Sequence, residues 1–166
     1  MTNHITAVPG IKVGHAENKT ARTGCSVVVT PQGAVGGVDV RGSAPGTRET
    51  DLLKSTNAVS QVHAILLTGG SAFGLAAADG VMAALEAQEI GFAVAGSHVP
   101  IVPGAVLFDL DTGQAAVRPD GEMGYLAARQ AAADNQKRGA IGAGTGCTVG
   151  KLRGANQASR AGLGSA

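Results

Sequence analysis

The chain has 166 residues, of which 44% are hydrophobic and 15% charged, with a formal net charge of +1. The charged share lies well below the roughly 25% of average proteins, which excludes a disordered, collagenous or coiled-coil chain. Lys and Arg are scattered rather than clustered, so there is no electrostatic footprint for nucleic acid or an anionic membrane surface.

In chain order, Cys25 to Thr30 is a β-branched run, and Ala34 to Val40 resumes an apolar pattern after Pro31, Gln32 and Gly33. Pro at the second and Gly at the fourth position of Thr30 to Gly33 suit a type I turn, which predicts a hairpin. Arg41 to Thr47 is rich in turn residues, and Thr47 is placed to cap a short helix through Leu52 and Leu53 with Asp51 in its first turn. Val62 to Thr68 is apolar almost throughout, as expected of a strand buried on both faces, and Gly69 and Gly70 end it. From Leu75 to about Gln88, Leu75, Ala78, Val81, Met82 and Leu85 recur at helical spacing. Ile101 to Asp109 and Ala115 to Val117 predict a second hairpin across Asp111, Thr112 and Gly113. A second amphipathic helix is predicted from Glu122 to about Lys137, with Met123, Leu126 and Ala127 inward and Gly139 as its stop. Ala140 to Lys151 is a Gly-rich strand or loop, and Leu152 to Ala166 is basic and rich in small residues. Blocks of strands and helices without strict βαβ order indicate a layered α/β or α+β sandwich, one domain over residues 1–166.

Gly supplies 26 residues, against three Phe, one Tyr and no Trp. The composition predicts close backbone approaches and a core of Ala, Val, Leu and Ile. Met1 to Gly10 contains no basic segment followed by an apolar run, and no stretch of about 18 apolar residues occurs, so the sequence reads as cytoplasmic, with no membrane partner. Cys25 and Cys147 stand alone and read as buried reduced thiols. His4, His15, His63 and His98 are far apart, so neither metal nor cofactor is expected.

Two segments invite a chemical reading. In His63 to Leu75, HAILLTGGSAFGL, Ser71 stands where a nucleophile elbow would, but Phe73 occupies the position that the elbow gives to Gly. Ser71 then serves as a helix cap, or Gly69 and Gly70 expose N–H groups that hold a carboxylate or carbonyl oxygen. In GAGTGCTVGK, Gly144 and Gly150 are separated by five residues and Leu152 follows Lys151, so the phosphate-loop pattern fails. Lys151 is a solvated surface lysine or, as the end of an apolar Gly-lined segment, a partly desolvated amine suited to proton transfer. Asp109 and Asp111 would share one face of a strand, where they stabilise the turn.

Five stretches resemble the L-aminopeptidase/D-esterase family, which includes the β-peptidyl aminopeptidases and is related to the nylon-oligomer hydrolases. They are VPGIKVGHAE (Val8 to Glu17), VDVRGSAPGTRETDLL (Val38 to Leu53), LTGGSAFGLAAADGV (Leu67 to Val81), PIVPGAVLFDL (Pro100 to Leu110) and GAGTGCTVGKLRG (Gly142 to Gly154), followed by GLGSA at the end. The resemblance implies an αββα four-layer sandwich of the N-terminal-nucleophile type, present here in part. It also implies a precursor that cuts itself, exposing a Ser or Thr whose hydroxyl attacks an amide or ester carbonyl while its own amine serves as base. This chain then corresponds to the N-terminal, α-subunit-like part. Its partners are a second subunit or C-terminal segment of the same precursor, a small peptide or amide substrate and further copies in a homo-oligomer.

Family members are about twice as long, and the resemblance places the nucleophile beyond these residues; Ser165 does not replace it. Lys151 matches a lysine implicated in processing and catalysis in the nylon-oligomer branch. Phe108 stands where that branch has a Tyr and lacks the hydroxyl, so it contributes pocket wall. Gly69, Gly70 and Ser71 match a loop near the site and are assigned to substrate contact. The alternatives are a non-catalytic small-acid-binding or assembly domain, with Gly69 to Ser71 holding an anion, and an acyltransferase related to ornithine acetyltransferase.

Overall fold

The computed structural model describes residues 3–165; Met1, Thr2 and Ala166, which end the first and last segments read above, lie outside the described residues. A five-stranded sheet has the order β1 (Lys12–Asn18), β2 (Thr23–Val35), β4 (Gln61–Thr68), β7 (Gly104–Val106), β3 (Thr47–Arg48). All neighbours are antiparallel except β4 and β7. Helices α1 (Ala77–Glu86) and α2 (Gly121–Arg129) cover one face. The core between them consists of Cys25, Val27, Ala64, Leu66, Ala78, Val81, Leu85 and Ala127, with no aromatic residue among its buried members.

The layers lie close because glycines meet backbone. A Cβ on Gly80 would overlap the Gly121 carbonyl oxygen, one on Gly124 the Ala77 carbonyl, and one on Gly14 in β1 the Ala127 carbonyl. At these three points backbone meets backbone with no side chain between, which draws the layers close around a core of small residues.

Several expected elements take a different form. The first hairpin is absent: Thr23–Val35 is one strand, in which Val29 faces Ala64 and Ala34 faces Val62, so that Thr30–Gly33 bulges out instead of reversing the chain. Gly33 takes φ +77° there, and Thr30 Oγ1 donates to the Val62 carbonyl at 2.9 Å. The second hairpin is also absent, since only Gly104–Val106 is a strand and Ala115 to Val117 is irregular. The hairpin that does form near this region joins β5 (Phe92–Val94) to β6 (Ser97–Val99), turning at Ala95 and Gly96, both with positive φ. Thr47 does not cap a helix; it lies in β3, and a short 3-10 helix follows at Thr50–Leu53.

The first amphipathic helix starts as a 3-10 segment, Ser71–Ala76, that runs into α1. The second stops at Arg129 rather than near Lys137, because Ala132 exchanges two backbone hydrogen bonds of 3.0 Å with Val13 at the sheet edge. Leu126, expected inward, is 47% exposed. Its start follows rule: Asp120 accepts from the Met123 N–H at 3.0 Å. Gly139 lies outside the helix and bridges to Leu163.

Strand β4 is fully covered on one face, while on the other His63 is buried and its neighbours are not. Ala64 and Leu66 are fully buried under the helices, whereas Ile65 is 41% and Leu67 36% exposed on the opposite face. There the segment around the 3-10 turn Gly142–Gly144 covers β1 and β2, and a groove of about 180 Å³ opens beside it, lined by Leu67, Leu107, Ala143, Cys147 and Leu163. The described residues thus form one helix layer and one sheet layer. No described helix is long and apolar enough to cross a membrane. Both cysteines are free; Cys25 is buried, while Cys147 is only half-buried.

Two expectations follow from this packing. Gly80→Ala places a methyl group against backbone and is expected to lower unfolding stability by about 1–3 kcal/mol, read from urea denaturation. His15 and His63 are buried and burial holds both below the ordinary value of 6.5, so they fold neutral. Below pH 6.5 the unfolded chain takes up protons that the folded chain does not, so stability is full above that pH and falls as pH drops through it. Denaturation midpoints at pH 7.5 and 5.5 are expected to converge in His15→Gln relative to wild type.

Candidate functional site

The residues that end β4 and β7 converge on one carboxylate. Asp109, three residues beyond β7, is 4% exposed. Its Oδ1 accepts the Gly70 N–H at 2.7 Å and its Oδ2 the Thr23 hydroxyl at 2.7 Å. Space for it exists only because neighbours lack side chains: a Cβ on Gly69 would overlap Oδ2, and one on Gly146 would lie 2.9 Å from it. The Asp109 carbonyl accepts the Thr112 hydroxyl at 2.8 Å, and Thr112 also reaches the Gly146 carbonyl at 3.2 Å. Asp109 thereby ties β2, the Gly69–Gly70 turn and the Gly146 segment together.

The Gly69–Ser71 turn is saturated from within. Gly69 donates to the Gly24 carbonyl at 2.8 Å, Gly70 to Asp109, and Ser71 to the Leu107 carbonyl at 3.1 Å. Of the two N–H groups expected to hold a carboxylate or carbonyl oxygen, that of Gly70 holds the chain's own Asp109 carboxylate and that of Gly69 the Gly24 carbonyl. Gly70 and Ser71 adopt φ of +81° and +54°, and Ser71 is the first residue of the 3-10 segment rather than its side-chain cap. Such a conformation is uncommon for a residue with a Cβ and is held here by the surrounding hydrogen bonds. Two residues on, the exposed Phe73 ring is covered by the Arg118 guanidinium at 3.9 Å from its centroid.

Lys151 meets the other side of this hub. Its Nζ donates to the Phe108 carbonyl at 2.9 Å, lies 3.6 Å from Asp111 Oδ1 and stands 5.2 Å from the centre of the Phe108 ring. Both charged side chains are about one-third exposed, at 32% each. The residues Phe108, Asp111 and Lys151 are therefore together, linked through Asp109 to Gly69 and Gly70. Asp109 and Asp111 do not act as a pair: one is enclosed by hydrogen-bond donors, the other faces the lysine. Ser165 is elsewhere, its hydroxyl accepting the Ile5 N–H at 3.0 Å.

A second buried polar group lies on β1 and β2. His15 Nδ1 is 2.9 Å from the Ser26 hydroxyl, which also accepts the Ala143 N–H at 3.0 Å. Glu17 accepts the Gly142 N–H at 3.1 Å. These bonds dock the Gly-rich segment that leads to Lys151. Burial, with Asp120 and Glu17 nearby, pushes the Cys25 thiol up to about 12, so it is an inert core thiol. Among the described residues no three His, Cys, Asp or Glu side chains come together as metal ligands. Neither the Asp109 hub nor the His15 contact carries a local sequence pattern; a lone Asp between Phe and Leu and a His inside VGHAE are unremarkable until the strands pair.

Comparison with known proteins supplies the frame for this geometry. The chain is 50% identical to an uncharacterized aminopeptidase of Mycobacterium leprae over 167 residues, which covers 92% of this chain and 46% of the relative. It is 35% identical over 147 residues to the 6-aminohexanoate-oligomer endohydrolase of Paenarthrobacter ureafaciens, covering 87% of this chain and 38% of that protein. It thus spans about half the length of the curated relatives it matches. Among solved structures, the β-aminopeptidase of a Burkholderia species superposes with a TM-score of 0.62 at 25% identity, over 88% of this chain and 43% of that one. The L-aminopeptidase D-Ala-esterase/amidase of Ochrobactrum anthropi, described as a variant of the Ntn hydrolase fold, superposes with a TM-score of 0.66 at 18% identity over 87% of this chain and 44% of its own, a likeness of fold. The model of peptidase family S58 matches residues 3–165, and the chain belongs to that family.

Proposed function

We propose that these residues form the N-terminal, α-subunit-like part of a cytoplasmic N-terminal-nucleophile aminopeptidase or amidase that releases amines from small peptides, amides or esters. The observation that carries the reading is the family match over residues 3–165 in a chain half as long as its curated relatives. The nucleophile is then a Ser or Thr on a segment that follows, freed by self-cleavage of a precursor. That segment packs on the open face of the sheet, where Ile65 and Leu67 leave apolar surface uncovered. Further copies complete a homo-oligomer.

The roles of the residues follow from their contacts. An ammonium has three donors; Lys151 spends one on the Phe108 carbonyl, and the remainder point charge at whatever oxygen develops negative charge beside it. Asp111, 3.6 Å from its Nζ, holds the lysine in place. Phe108, 54% exposed, serves as an apolar wall, with no hydroxyl to donate. Gly69, Gly70 and Ser71 contribute shape rather than N–H donors, since all three N–H groups are already bonded. The reaction is acyl transfer: the hydroxyl adds to the carbonyl, the amine leaves with a proton, and water releases the acyl group. The anion-holding alternative has less support, because Asp109 already occupies the turn on which it depends.

At its full natural length the protein is expected to run as two fragments on a denaturing gel, the second beginning with Ser or Thr by mass spectrometry, and to release free amines from small amides. A single uncut, inactive product would sink the reading. Lys151→Ala is expected to slow processing or turnover by about 100-fold; wild-type rates would return it to a surface role. Asp109→Ala leaves the Gly70 N–H and the Thr23 hydroxyl without their acceptor and is expected to cost about 2 kcal/mol of stability by chemical denaturation.

A further inference from the structure

Next to Lys151 lies a cavity of about 210 Å³ whose walls include Arg22, Arg160, Asp111, Thr112 and Thr148. Arg160 and Thr148 are paired residues of the two-stranded ribbon formed by β8 (Thr148–Val149) and β9 (Ser159–Arg160), so their side chains stand on one face of it. Arg22 comes from the turn between β1 and β2, where it takes φ +57° and its carbonyl packs against Gly146. Among the described residues neither guanidinium lies within salt-bridge distance of a carboxylate. The one acidic group in the wall, Asp111, faces Lys151.

Two guanidiniums without a carboxylate partner on the wall of one small cavity form an oxyanion receptor, since the planar fork of Arg matches a carboxylate with two parallel N–H bonds. The volume suits one small residue rather than a long chain. The carboxylate of Asp111 on the same wall repels a doubly charged group more than a singly charged one. Asp111 also connects this cavity to Lys151.

We infer that Arg22 and Arg160 bind the free carboxylate of a small peptide substrate, so that the enzyme selects peptides with an unblocked C-terminus over their amides. This rests on the functional reading above, in which Lys151 stands beside the reacting carbonyl.

The test uses the protein at its full natural length and a dipeptide offered both as the free acid and as the C-terminal amide. Wild type is expected to show the lower KM for the acid. Arg160→Ala, at an exposed position, and Arg22→Gln are expected to raise that KM by about tenfold or more while leaving the amide within about twofold and kcat unchanged. Equal effects on acid and amide, no effect on either, or a loss of stability without a change in the preference would overturn the inference. If neither peptide is turned over, the functional reading fails and the carboxylate site is judged separately by calorimetric titration. Tighter binding of the acid than the amide to wild type, lost in Arg160→Ala, supports the site; equal binding overturns it, as does inorganic phosphate displacing the dipeptide more effectively than acetate does.

Discussion

A single enclosed carboxylate organises the end of this molecule where the chemistry is proposed. Burying a charge is expensive unless donors replace its water, and Asp109 meets that requirement with one backbone N–H and one hydroxyl, each at 2.7 Å. The cost of leaving it unpaired makes the arrangement strongly conditional: the Gly69–Gly70 turn, the Thr23 end of β2 and the Gly146 segment have to arrive together or not at all. Phe108 and Asp111 flank it in sequence, so the two groups that hold Lys151 inherit their positions from it. A surface lysine on a three-residue 3-10 helix would otherwise have little reason to sit in one place.

The same economy appears in the packing. Gly14, Gly80 and Gly124 let backbone meet backbone, and the core fills with Ala, Val and Leu. The helices cover one face of the sheet, and the opposite face keeps Ile65 and Leu67 partly uncovered beside an apolar groove. The proposed function gives that face a second layer to meet.

The sequence exposed the parts of this structure that depend on local periodicity or on a Gly-rich run. The α1 region was legible from Ala78, Val81 and Leu85, and the β4 strand from Val62 to Thr68. What local rules missed was set by partners distant in the chain. Pro31 and Gly33 read as a hairpin turn, but β4 pairs on both sides of them and turns them into a bulge. The second helix lost its last turns to a bridge with Val13, more than a hundred residues earlier. The continuous apolar run in β4 predicts two buried faces, but hydropathy reports what a face is suited to meet, and Ile65 and Leu67 remain partly exposed. The Gly69–Gly70 pair marks a turn in the sequence, but that the Gly70 N–H meets Asp109 depends on a contact across 39 positions. Lys151 stands out in the sequence by its place at the end of a Gly-lined segment and by resemblance, whereas nothing in the sequence brings Arg22 near Arg160 until β8 and β9 pair.

The glycine contacts between layers have an evolutionary consequence. In a core of ordinary side chains, a lineage can drift by exchanging volume between neighbours, one residue growing as another shrinks. Where the neighbour of a glycine is a carbonyl oxygen, as at Gly80 and Gly124, there is no side chain to shrink in return. Such positions are one-way gates: they can be entered by losing a side chain but not left by regaining one. Divergence in this fold is therefore channelled away from the helix layer and into the loops and rims, the places where a change of substrate would have to be written.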